Sequence, residues 1–375
     1  MGELSGLERP LDSLGRFIVA ANIRGDLNAH QCFVAAGRGR VGDLVVGCVI
    51  PRAGHEITVI DQQMKAHTIE KSQRIVAVLG PRDSSTHVCA TIPPGGLNVS
   101  DGVLVHWVAG ESGIVGCLER EAPKNSIHDV ETAVDFRCDG LVLNPRGQAV
   151  NIREFAVKPD NSKVSVPIVF VAATSSESGK TVLAGELIRQ LSKKGIRVGA
   201  LKVTGTGGVL DSLHHRRSGA IAVLDNVNAG LISTHCEATE FRQRIPLIFR
   251  QIEHLGADLI VAELGGDLLC ANNPEVFSIE ELMGRAMMLI VISNDALAAA
   301  GVNSMNEIQL GFPVEKIMHF TSPFRNHAGM ARRMNLAGIP ACYDPRSMVD
   351  VKLIVDQITD IIAVELKTSS KRDLK

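Results

Sequence analysis

The stretch IVFVAATSSESGKTVLAGELIRQL, residues 168–191, runs from an apolar segment through a polar turn into Gly-Lys-Thr. These residue types at this spacing do phosphate chemistry. Gly179 lets the backbone approach an oxygen closely, and Lys180 reaches the β- and γ-phosphates of a nucleoside triphosphate. The Thr181 hydroxyl is suited to bind Mg²⁺, and the loop formed by Thr174, Ser175, Ser176, Glu177 and Ser178 can turn backbone N–H groups toward the anion. A glycine usually stands where this chain has Thr174. The competing reading is a Ser-rich helix cap with a chance Gly-Lys-Thr.

A phosphate loop needs a buried strand to deliver it and a helix to begin at its end. Both are legible. Residues 168–172 are an unbroken apolar run, and residues 181–194 have helical periodicity with Val182, Leu183, Leu187, Ile188 and Leu191 on the apolar face. Lys193-Lys194-Gly195 then stops the helix. Further on, PIVFVAA, RVGALKV, ADLIVAEL, MMLIVIS and EKIMHFT alternate with amphipathic stretches. That alternation predicts an α/β domain over residues 168–375, a mostly parallel sheet with helices on both faces. Residues 1–155 differ in texture. Short Val- and Ile-rich runs broken by Gly, Pro and Asp predict a smaller β-rich domain, a barrel or a sandwich, with Trp107 in its core. The polar stretch 156–167, with two prolines, reads as the linker.

The sequence AATSSESGKT resembles the phosphate loop of dethiobiotin synthetases, where a Thr also holds the place of Thr174 and a Glu matches Glu177. KKGIRVGALKVTGTGG is similar to the second strand of that family and ADLIVAELGGDL to a later one. The resemblance implies that Lys202 faces the substrate across the phosphates as a catalytic partner of Lys180. It also implies that Glu263 and Asp211 join Thr181 around Mg²⁺, with Asp267 as a further carboxylate. A carboxylate at a strand's carboxyl end beside a phosphate loop is where such a ligand has to stand. Asn294 and Ser322 follow later strands where nucleotide base or ribose is contacted, with Asp295 and Asn326 as alternatives. Strand-end Asn and Asp are also plain helix caps. His214, His215, Arg216 and Arg217 read as a rim for an anionic substrate or as a solvated basic turn; adjacent histidines on a helix point apart.

Three functions compete. The resemblance implies an ATP- and Mg²⁺-dependent ligase that phosphorylates a small anionic carboxylate, carbamate or amide, pairing as a homodimer; GTP is the other candidate nucleotide. GIRVGALKVTGTGG compares almost as well with the molybdopterin-guanine-dinucleotide helper family, which implies a nucleotide-binding accessory acting with a protein partner. A partitioning ATPase of the MinD type would carry a lysine near the start of the loop, and positions 174–178 have none.

The remaining sequence narrows the classes. A formal charge of −2 gives no broad attraction to nucleic acid or anionic membrane, and aromatic residues at 3% leave no base-stacking platform. No apolar run is long enough to span a bilayer. The start carries Glu3 and Glu8 before a short apolar run, unlike a signal peptide. Eight scattered cysteines without a C-x-x-C spacing read as reduced thiols of a cytoplasmic protein. Arg82, Asp83, Ser84, Ser85, Thr86 and His87 crowd one turn between strands, either as an exposed hairpin loop or as a lid.

Overall fold

The computed structural model describes residues 8–51, 57–70, 72–121 and 134–372. Glu3, part of the amino-terminal reading, lies outside them. The chain divides into two compact units. One comprises Met1–Lys158 with Gly205–Val209 and Asn226–His235; the other comprises Pro159–Thr204, Leu210–Asp225 and Cys236–Lys375.

The first unit is built of short strands: β1 Arg9–Pro10, β2 Phe17–Val19, β3 Phe33–Ala35, β4 Gly37–Gly39, β5 Leu44–Pro51, β6 Thr58–Ile60 and β7 Ala66–Thr68. There follow β8 Arg74–Leu79, β9 Cys89–Thr91, β10 Leu97–Val99, β11 Leu104–Ala109, β12 Ile114–Arg120 and β13 Val134–Leu143. Pairing runs from β13 through β11, β12, β8 and β5 and back to β13, so the sheet closes on itself. Of the two architectures open to the sequence, the barrel is the one formed, and closure removes the exposed strand edges a sandwich would keep.

Its runs of Val and Ile are apolar on both faces for a reason. Val45, Ile75 and Leu141 join one core cluster, while their neighbours Val46, Val76 and Val142 join another. Successive side chains on a strand alternate in direction, so both faces of these strands are buried. Trp107 stacks on Phe136 in the first cluster, with ring centroids 6.0 Å apart. The second cluster takes in Val227 and Ile232, which accounts for Asn226–His235 joining this unit. The polar turn at 82–87 is organised locally, since the Ser84 hydroxyl accepts the N–H groups of Thr86 and His87 at 3.2 and 3.0 Å.

The second unit holds β14 Ile168–Ala173, α1 Lys180–Lys193, β15 Val198–Lys202, α2 Val209–Arg217, β16 Ala222–Asp225, α3 Ala238–His254 and β17 Leu259–Glu263. After these come α4 Asn273–Ser278, α5 Glu280–Met283, β18 Ala286–Ser293, α6 Ala296–Met305, β19 Ile317–Thr321, α7 His327–Leu336 and α8 Met348–Arg372. The strands pair in parallel in the order β16-β15-β17-β14-β18-β19. On one face Leu183, Leu187 and Leu191 of α1 pack with Val351, Ile354 and Ile358 of α8. On the other, Phe170 meets Phe249 of α3 and Phe277 of α4. Val182, expected on the buried face of α1, is 58% exposed. The buried stripe runs through 183, 184, 187, 188 and 191, and one residue's rotation carries 182 off it.

The stretch read as a linker is strapped down from residue 160 onward. The Val164 N–H donates to Glu281, the Ser165 N–H to Glu253, and Arg250 to the Asp160 carbonyl. All eight cysteines are free thiols. Among the described residues no helix is long and apolar enough to cross a membrane.

Gly47 of β5 is a place where the barrel tolerates no side chain. A Cβ there would lie 2.2 Å from the Arg137 carbonyl oxygen on the paired strand β13. Overpacking of this kind costs about 1–3 kcal/mol. Gly47→Ala is expected to lower the unfolding temperature by several degrees in a calorimetric scan. Gly301→Ala, in open space on α6, is expected to be neutral or slightly stabilising, because Ala is the better helix former.

Candidate functional site

β14 is a central strand, and the strand order departs from it in both directions, which opens a crevice at its carboxyl end. The 174–179 turn fills that end and leads into α1. Glu177 (φ 56°) and Gly179 (φ 95°) are left-handed on either side of Ser178, the alternation that makes an anion-binding nest. Gly179 is confined a second time, because a Cβ would sit 2.6 Å from Pro323 Cγ. Thr174 is not among the left-handed residues. Its N–H donates to the Ile292 carbonyl at 3.0 Å and continues the sheet, so a side chain in place of the usual glycine carries no backbone strain.

The loop is braced from within and from β18. Ser178 Oγ donates to the Ser175 carbonyl at 2.8 Å, and Ser175 Oγ to the Ser176 carbonyl at 3.2 Å. Asn294 Nδ2 donates to Ser175 Oγ at 2.5 Å and to Ser178 Oγ at 3.1 Å. Lys180 folds back over the turn, its ammonium donating to the carbonyls of Ser175 at 3.1 Å and Gly266 at 2.6 Å. Burial, helped by the charge of Lys202, pulls Lys180 down to about 8.

Beside the loop, four elements bring four groups together. The Thr181 hydroxyl lies 3.0 Å from Asp211 Oδ1 and 2.9 Å from Glu263 Oε1. Lys202 Nζ lies 2.8 Å from Asp211 Oδ2 and 2.6 Å from Glu263 Oε1. Burial alone would pull Lys202 down, but Asp211 and Glu263 outweigh it and hold its ammonium above the ordinary lysine range. Burial would likewise raise Glu263, but Lys202 and His215 hold its carboxyl well below the usual carboxylate range. Thr181 with one oxygen each from Asp211 and Glu263 makes an all-oxygen set with two carboxylates, which fits Mg²⁺.

The helix α2 turns His215 inward one turn after Asp211. His215 Nε2 meets Glu263 Oε2 at 2.9 Å, so it donates to the carboxylate and fixes it in place. His214 points elsewhere, against Gly185 of α1, and Arg216 and Arg217 are exposed. Ser322 is fully buried, its N–H donating to the Ser293 carbonyl at 3.0 Å and its hydroxyl accepting the Phe324 N–H at 3.3 Å. Asp295 and Asn326 are the caps of α6 and α7. Asp267 accepts the Leu269 N–H at 2.8 Å as a turn-forming residue.

Two residues that pattern reading passed over hold the 264–267 turn. Thr204 Oγ1 accepts the Gly265 N–H at 2.7 Å and donates to Asn273 Oδ1 at 2.5 Å. Asn273 Nδ2 donates to the carbonyls of Gly265 at 2.7 Å and Asp267 at 2.5 Å. Together they place the Gly266 carbonyl that receives Lys180. Thr204 stands two residues beyond Lys202 among small and hydroxyl residues, a faint signal; Asn273 carries none.

One family model covers the stretch that holds this site. The family model described as MobB, molybdopterin guanine dinucleotide synthesis protein B, matches residues 168–265, about a quarter of the chain. The matched stretch contains Lys180, Thr181, Lys202, Asp211 and Glu263. No curated protein matches the sequence. Similar solved structures include the hydrogenase maturation factor HypB from Archaeoglobus fulgidus, at 18% identity, with a TM-score of 0.28, covering 53% of this chain and 90% of that one. A ParA family ATPase from Chlorobium tepidum gives 11% identity and a TM-score of 0.31 over 52% of this chain and 90% of its own. A duf1611 family protein from Anabaena variabilis gives 11% and 0.35 over 56% and 64%. By the family match, residues 168–265 form a MobB-like P-loop nucleotide-binding stretch.

Gly179→Ala is expected to remove nucleotide binding while leaving the fold intact, since the methyl group meets Pro323 and the left-handed backbone at once. Unchanged circular dichroism together with loss of equilibrium binding of a fluorescent triphosphate analogue is the expected pair of results.

Proposed function

We propose that this protein binds a nucleoside triphosphate with Mg²⁺ and serves as a nucleotide-dependent accessory to a protein partner. The observation that supports it best is the convergence of Lys180, Thr181, Lys202, Asp211 and Glu263 within the stretch that matches the MobB description. In this reading the nest between Ala173 and Thr181 takes the β-phosphate, and Lys180 exchanges its two carbonyl partners for phosphate oxygens. Thr181, Asp211 and Glu263 would hold the metal. When bound, Mg²⁺ would neutralise part of the negative charge of the triphosphate. Lys202 holds positive charge toward the terminal phosphate, and His215 keeps Glu263 oriented.

The site would select the triphosphate through its charge and its anionic oxygens, so ATP and GTP are both proper probes. The second reading, a dethiobiotin synthetase-like ligase acting on a small anionic substrate, draws on Lys202. An ammonium facing the terminal phosphate would serve an incoming carboxylate or carbamate equally well. Turnover separates the two. The accessory hydrolyses nucleotide only alongside a protein partner, whereas the ligase consumes it when given the right small carboxylate, carbamate or amide.

The binding step is tested by thermal shift with ATP, GTP and CTP plus Mg²⁺. At a nucleotide concentration a hundred times Kd, the parent protein is expected to gain about 2.7 kcal/mol and to melt several degrees higher. Lys180→Ala should show no shift with any of the three.

A further inference from the structure

Asp211 and Glu263 bring two negative charges to the site, and Lys180 and Lys202 bring two positive ones. Lys180 is engaged with the neutral carbonyls of Ser175 and Gly266. Lys202 alone sits between the carboxylates, 2.8 Å from Asp211 Oδ2 and 2.6 Å from Glu263 Oε1. The Thr181 hydroxyl lies 2.9 Å from the same Glu263 oxygen and 3.0 Å from the other oxygen of Asp211. The ammonium therefore occupies the oxygen set that fits a divalent cation. Both cannot hold it together, because a cation a few ångströms from another in a buried site is strongly repelled.

We propose that Lys202 is a tethered competitor for the divalent cation: it neutralises Asp211 and Glu263 in the ligand-free protein and yields them only when a triphosphate arrives to receive its ammonium. The proposal rests on the nucleotide-binding reading and adds the order of events at the same site. A metal ion entering alone would strand a buried ammonium without a partner, and an uncompensated buried charge is costly. With metal and triphosphate both present, each cation has an anionic partner. The metal takes the carboxylates, and the ammonium moves to the terminal phosphate. The site then responds to the pair and very little to the metal alone. His215 stays on the far oxygen of Glu263 throughout and keeps the carboxylate from following the departing lysine.

The test is titration of the full chain with Mn²⁺, a paramagnetic substitute for Mg²⁺, followed by electron paramagnetic resonance without any nucleotide. The parent protein should bind Mn²⁺ weakly. Lys202→Met, which keeps the side-chain length and removes the charge, should bind it about tenfold more tightly or better, since the carboxylates then lack the ammonium that neutralises them. Lys202→Arg should stay as weak as the parent. Equal Mn²⁺ affinity in the parent and in a folded Lys202→Met overturns the proposal. Tight micromolar binding by the parent alone overturns it too, and that measurement needs no variant. Since no nucleotide is present, these outcomes stand apart from failure of the nucleotide reading, which shows as absence of any thermal shift with triphosphates.

Discussion

The pair formed by Lys202 and Glu263 is the constraint around which the carboxy-terminal unit is arranged. The two residues end adjacent parallel strands in register, and both side chains are buried. Each is the other's closest counter-charge, with Asp211 also on Lys202 and His215 also on Glu263. Removing one partner of such a pair typically costs about 3–5 kcal/mol because the remaining charge is left without compensation. Yet a buried ion pair is weak evidence for stability, since apolar side chains of the same volume often do as well. Its position gives a better explanation. It lies at the carboxyl edge of the sheet, beside a nest of backbone N–H groups, where a ligand can take over each half of it.

The same logic extends to Lys180. Its two acceptors are carbonyl oxygens, which give up an ammonium more readily than carboxylates do. Both lysines are thus held in place by protein oxygens that a phosphate can replace, and the loop is kept open by the hydroxyls of Ser175 and Ser178 and the amide of Asn294. Such pre-organisation reduces the ordering cost of binding. The supports of the turn opposite, Thr204 and Asn273, serve the same end by fixing the Gly266 carbonyl.

Much of this was legible in the sequence, and the reason is local. The strand, loop and helix around Lys180 are continuous in the chain, so their periodicity and spacing can be read directly. Lys202 and Glu263 could be found because strand ends are legible and a family resemblance pointed to those positions. His215 was visible only as one of a basic group, since which of two adjacent histidines turns inward depends on how α2 seats against the sheet. Asn273 left no trace, because its partners, Thr204 and two backbone carbonyls, are brought near only by folding. The barrel closure and the recruitment of Asn226–His235 were hidden for a different reason. Closure depends on β13 pairing with β5 far earlier in the chain, and the recruitment on Val227 and Ile232 joining a core of distant strands; no short-range pattern encodes either. Val182 shows the converse limit, since an apolar residue one position off the stripe reads as part of it.

The most direct test is a crystal structure of the protein with a non-hydrolysable triphosphate and Mg²⁺. The account predicts phosphate oxygens within the turn between Ala173 and Thr181, the Lys180 ammonium turned from the Ser175 and Gly266 carbonyls onto them, and the metal against Thr181. A turn without density for the ligand, or Lys180 still bonded to those two carbonyls beside a bound nucleotide, would contradict it.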